Sequence, residues 1–155
     1  MMRISTAVVV ATLFSFPAFA DPPRIEYLRP DSLLNFPGFS QIATATGGKL
    51  VFVSGQLAWD KQGKVQFPGD LEAQTRLAYE NMRIALAAVG ATFDDVIKFG
   101  VFVKNLDSQK WNTISKVRTQ VLTKEPRPAS TMVGVTGLVE GDALIEIEAY
   151  ALVKE

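Results

Sequence analysis

The chain predicts an α+β fold, a mixed sheet with two helices on one face. Three observations predict it. Residues 70–89 and 107–122 place apolar side chains at helical spacing behind a capping residue. Residues 50–57, 96–104 and 143–153 alternate, or run apolar, as strands do. The two kinds of segment interleave as β-β-α-β-α-β-β, and the helical crossovers in the middle require some parallel pairing. The chain has 155 residues and no internal repeat, so it holds a single domain of two layers.

The first twenty residues stand outside that domain. Arg3 gives a positive start, Ala7 to Phe16 is apolar, and Ala18-Phe19-Ala20 is a small-x-small pattern before Asp21. This is the three-part form of a secretory signal peptide, with cleavage expected after Ala20. The apolar run is shorter than the roughly 20 residues a bilayer span needs, and Pro17 interrupts its end. The expected location is periplasmic or secreted, with no membrane attachment after cleavage.

Residues 21–37 hold Pro22, Pro23, Pro30 and Pro37 and little periodicity, and read as an extended lead-in to a domain over residues 38–155. Gly38 to Thr46 alternates loosely as a first strand. Gly47-Gly48 predicts a hairpin turn into the strand Leu50 to Leu57, whose end Ser54-Gly55 breaks. Lys61 to Gly69 is a polar loop. Asp70 caps a helix whose stripe is Leu71, Ala78, Met82, Ala85 and Val89, and Gly90 ends it. From Val96 to Lys104, Val96, Lys98, Gly100, Phe102 and Lys104 share one side, and Ile97, Phe99, Val101 and Val103 the other. Asp107 or Ser108 caps a second helix to Leu122 with Trp111, Ile114, Val117 and Val121 as its apolar content, and Pro126 and Pro128 close it. Two strands follow. In the last, Ala143, Ile145, Ile147, Ala149 and Ala151 face the helices, and Glu146 and Glu148 share the opposite face with Leu144, Tyr150 and Leu152.

There is no Cys and no His. Disulfides, Ser-His-Asp and Cys-His catalysis, and zinc sites built on imidazole or sulfur are therefore excluded. Acid–base work falls to Asp, Glu, Lys, Tyr or a positioned water. No Asp-rich loop suggests an oxygen-only metal site, so no metal is expected. The formal net charge is zero, and loss of Arg3 leaves the remainder one unit negative. No basic face is implied, and nucleic acid is not an expected partner. Glu146 and Glu148, two apart on a strand, sit roughly 7 Å apart, which suits an acid–base pair as well as a solvated face.

Val53-Ser54-Gly55-Gln56, Val101-Phe102-Val103-Lys104-Asn105-Leu106 and Ile145-Glu146-Ile147-Glu148-Ala149, in this order and spacing over residues 38–153, resemble the RidA (YjgF) family. The resemblance implies a homotrimer whose three sheets enclose a barrel-like core. Ligand clefts for a small metabolite lie between subunits. It also implies cofactor-free hydrolysis of enamines or imines, or else a non-catalytic ligand-binding or chaperone-like role. Glu146 falls where the family's Glu positions the attacking water, and Ser54 on the Ser of its Ser-Gly-Gln string. The Arg that holds the substrate carboxylate after Pro-Ala falls on Ser130. The family's Tyr near the first strand falls on Phe39, its helix Asn near Ser115, and a common Cys on Met132. Ser130 then reads either as a hydroxyl lining a cleft for another ligand or as an ordinary strand residue. Without the Arg, a substrate carboxylate lacks its partner, which disfavours 2-aminoacrylate-type deamination. Arg127, three residues away, is a substitute only if its side chain curls back across the strand. Phe39 and Trp59 are candidates for an apolar wall of the cleft, or for ordinary packing.

Overall fold

The computed structural model describes residues 22–34 and 36–154, so the signal segment expected at residues 1–20 lies outside the described residues. The elements run β1 Arg24–Leu28, β2 Ile42–Thr46, β3 Lys49–Gln56, α1 Leu71–Ala87, β4 Val96–Lys104, α2 Ser108–Val121, β5 Ala129–Val135 and β6 Ile145–Val153. A four-stranded sheet has the order β3-β6-β4-β5. Its β4 and β5 are parallel, as the helical crossover requires, and β6 is antiparallel to both neighbours. No helix among the described residues is long and apolar enough to cross a membrane.

Three expectations fail in the first third. The lead-in contains a strand, β1, paired antiparallel with β2 as a separate two-stranded sheet. Pro22, Pro23 and Pro30 flank β1 rather than interrupt it, so Arg24–Leu28 keeps its ladder donors. The segment expected as a strand from Gly38 begins at Ile42. Gly47-Gly48 does turn the chain, with φ of 65° and 64°, but it closes no hairpin: β2 pairs with β1 and β3 with β6. Gly48 packs against the end of β6, and a Cβ there would lie 2.5 Å from the Val153 carbonyl oxygen. The turn thus delivers Lys49 into register with Val153.

Both helices cover one face of the larger sheet. Tyr79, Met82 and Leu86 of α1 and Ile114 and Val117 of α2 pack onto Phe99, Val101, Val103, Ile145, Ile147, Ala149 and Ala151. A register shift between Val96 and Lys98 turns Val96 into this core, not onto the side of Lys98 as strict alternation would have it. The caps are as expected, Asp70 accepting from the Ala73 N–H and Asp107 from the Lys110 N–H.

A buried amide, Gln74, and a half-buried one, Asn81, tie α1 to the loops beneath. Gln74 donates from Nε2 to the carbonyls of Phe67 (3.1 Å) and Asp142 (2.9 Å), and its Oε1 accepts from the Leu144 N–H (2.8 Å). Asn81 Nδ2 donates to the carbonyls of Leu57 and Trp59. Together they fix the exit of β3 and the entry to β6.

Candidate functional site

The open face of the sheet carries the two carboxylates of β6. Glu146 and Glu148 project there from β6, away from Ile145 and Ile147. Opposite them β3 is bulged. Val53 pairs with Ala149 and Gln56 with Ile147, so Ser54 and Gly55 face a single residue of β6. The bulge sets Gly55 beneath Glu146, and a Cβ on Gly55 would overlap the Glu146 carboxylate. Glu148 lies in the same way over Gly100 of β4, where a Cβ would stand 2.5 Å from its Oε1. Each carboxylate therefore needs a glycine on the adjoining strand.

Glu146 is half-buried, and its pKa is raised, first by burial and then by the charge of Glu148. Among the described residues no cation lies within ion-pair distance of either carboxylate. Tyr150 Oη makes a long 3.4 Å contact to Glu148. A shallow hollow of about 380 Å³ beside the pair is lined by Phe102, Val135, Leu138 and the two glutamates. Leu50, Phe52 (70% exposed) and Val133 make the rest of this open face apolar, and Ser54 is exposed on it. Among the described residues no group of three or more acidic side chains converges to hold a metal ion.

Ser130 is elsewhere. β5 pairs in parallel with β4 so that Ser130 is opposite Phe99 and Met132 opposite Val101, both core residues. Ser130 thus faces the helix side, and one chain cannot bring it together with Glu146. It lines a groove of about 450 Å³ with Phe39, Ser40, Gln41, Lys98 and Thr131. The ring of Phe39 lies 5.7 Å from Phe36, which lies 5.8 Å from Trp111. Trp59 packs with Leu57, Val65 and Ala143 in a separate cluster, so Phe39 and Trp59 form no common wall.

Ser115 sits on the inner face of α2, its Oγ buried and unpartnered. Arg127 turns toward α2, not the open sheet face. Its Nε is 2.8 Å from Glu125 Oε1, an ionic contact misaligned for a hydrogen bond, and its Nη1 donates to Thr119 Oγ1 at 3.3 Å. The residue missed in the sequence is Arg118, which is buried. Its signal was its place in the apolar stripe of α2, four residues after Ile114 and three before Val121.

A sheet with helices on one face, an apolar open face bearing paired carboxylates, and polar groups split between the two faces defines a class. It is a small α+β protein with Glu146 and Ser130 on opposite faces of its sheet. The chain belongs to the Endoribonuclease L-PSP family, whose model matches residues 31–153, and its relatives carry the Rid and YjgF names that the sequence resemblance pointed to. It is 36% identical over 113 residues to the RutC family protein YjgH of Escherichia coli (strain K12), covering 73% of this chain and 82% of that protein. The structure of the Rid-family protein YyfB from Yersinia pestis, of unknown function, superposes with a TM-score of 0.79 at 27% identity, covering 83% of this chain and 98% of that one. E. coli TdcF, solved with bound serine, gives a TM-score of 0.59 at 34% identity over 68% of this chain and 81% of that one.

Proposed function

We propose that this is an exported member of the family that assembles as a homotrimer and hydrolyses an imine- or enamine-like bond of a small metabolite, without a cofactor, in clefts between subunits. The observation that carries the reading is Glu146: a half-buried carboxylate with raised proton affinity, set over Gly55 and free of any cation among the described residues. Such a group aims and deprotonates a water. As the water oxygen bonds to the imine carbon, the C=N electron pair moves to nitrogen and Glu146 takes the water proton. Returning that proton to nitrogen gives a carbinolamine, and Glu146 then carries its hydroxyl proton to nitrogen as the C–N bond breaks, leaving a carbonyl and ammonia or an amine.

The trimer and the clefts are supported by the same geometry. Ser130 and Glu146 point to opposite faces, so a cavity using both needs the helix-side groove of one copy against the sheet face of another. The exposed Leu50, Phe52 and Val133 give that face an apolar contact surface. The serine seen in TdcF supports a metabolite of amino-acid size. Export is supported by the residue pattern before Asp21.

The alternative is a non-catalytic ligand-binding or chaperone-like protein, favoured by the same exposed apolar face if no second copy covers it. Ammonia release from a neutral imine and from 2-aminoacrylate, by wild type and Glu146→Gln, separates the two. Turnover lost in the variant supports the hydrolase, and no turnover with either substrate removes it. A monomer by light scattering removes the clefts.

A further inference from the structure

Polar side-chain atoms that are buried without a hydrogen-bond partner are few in most folds. Here they gather in one region. Arg118 Nε, Tyr79 Oη and the hydroxyls of Ser40, Ser115 and Ser130 are all unpartnered, as are Nε of Arg29 and Arg127. The region is continuous. The Ser40 N–H donates to the Pro128 carbonyl (3.2 Å) and Ser40 bridges to Ala129, beside Ser130. Ser130 pairs with Phe99, whose ring meets Tyr79 at 6.1 Å. Tyr79 lies within electrostatic range of both Arg118 and Arg127. Ser115 and Arg118 are one turn apart on α2.

The charges there do not balance. Arg29 and Arg127 share the one carboxylate of Glu125. Arg118 is 4% exposed, and no carboxylate among the described residues is within ion-pair reach. Tyr79 does not supply the anion, because burial pushes its pKa up to about 12. The backbone at Gly38 passes over the guanidinium so closely that a Cβ would lie 2.8 Å from Arg118 Nη2. A buried guanidinium without an anion costs stability, so something other than packing must keep it.

We propose that Arg118 anchors a binding site for a small oxyanion, a carboxylate or a phosphate, on the helix side of the sheet where Ser40 and Ser130 line a groove, with Ser115 and Tyr79 as neighbouring donors. A guanidinium suits this because its fork matches two oxygens of such a group. The cation that is absent at position 130 is then supplied from α2. The inference rests on the reading above only for the reaction at the other end of the ligand.

The test is thermal melting of the assembled protein in acetate and in phosphate, against chloride at matched ionic strength. Wild type should gain roughly 8 °C at an anion concentration 100-fold above Kd. Arg118→Met should melt no lower than wild type without anion, because it removes an unpaired buried charge, and should show no anion response. A response to acetate alone assigns a carboxylate, to phosphate alone a phosphate, and to both a general oxyanion site. No response beyond chloride in wild type, or a response kept in Arg118→Met, overturns the proposal. Should the variant not fold, the Arg118 Nε–H resonance of wild type decides: acetate or phosphate must move it and chloride must not. Ammonia release from a neutral imine by wild type tests the hydrolase reading separately, because such a substrate carries no anion to be held, so the two ideas can fail independently.

Discussion

Gln74→Leu tests whether a single buried amide holds the entry to β6, two residues before Glu146. The side chains are close in size, so no large cavity forms, and the loss is that of hydrogen bonds. The Phe67 carbonyl keeps the Asp70 N–H as donor and adds little. Asp142 is exposed, so its carbonyl rehydrates in part, at about 1 kcal/mol. The Leu144 N–H is left half-buried without the Gln74 Oε1 acceptor, at about 2 kcal/mol. The sum is about 3 kcal/mol, or a Tm lower by roughly 10 °C for a domain of this size. Urea unfolding should show the midpoint move with the slope unchanged. Gln74→Glu keeps the acceptor but sets a carboxyl against two carbonyl oxygens, so its pKa should rise. Its stability should then be greatest below the ordinary Glu range and fall as pH rises through the raised value. A change in Gln74→Leu within about 0.5 kcal/mol of zero, the range of an ordinary surface substitution, would refute the anchoring role.

Glu146 should titrate above the ordinary Glu range in a carboxyl-detected NMR experiment, and Glu148→Gln should lower its midpoint only in part, since burial is the larger cause. Because the folded pKa is raised, the stability linked to Glu146 is present at low pH and lost as pH rises through that pKa; a midpoint at the ordinary value would remove the basis for its role as base. Gly55→Ala should displace the Glu146 carboxylate and cut ammonia release about 100-fold while the fold persists, and an unchanged rate would mean that the contact does not position the group. Phe52→Asp should bring like charge to the carboxylate-bearing face and shift the proposed trimer toward monomer by light scattering; a trimer left intact would place the subunit contact elsewhere. Asp70→Ala should cost about 1 kcal/mol through loss of the cap to the Ala73 N–H, and an unchanged urea midpoint would argue that the α1 start is held by packing alone.

The parts of the fold visible in the sequence are those where one local rule decides. Ile145 to Ala151 alternates strictly, so its core face and the outward Glu146 and Glu148 follow without knowledge of any partner strand. Asp70 and Asp107 cap because the N–H groups they serve are three residues on in the same helix. What escaped depends on partners distant in sequence. Arg24–Leu28 does alternate, Ile25 and Tyr27 against Arg24 and Glu26, but only over five residues between prolines, and it becomes a strand through β2. Ser54-Gly55 looks like a strand end, yet β6 continues past it and converts it into the bulge that seats Glu146. Ser130 is the most instructive case. Apolar residues lie on both parities around it, Met132 on one and Val133 on the other, so only the parallel register with Phe99 assigns its face. Arg118 interrupts an apolar stripe, which reads as a flaw in the helix until the unpartnered hydroxyls around it are known. Matching Ser130 and Glu146 to one family motif therefore did not place them in one cavity. Their faces are opposed by the pairing of β4 with β5 and β6, and that opposition makes a second copy of the chain necessary to any site that uses both.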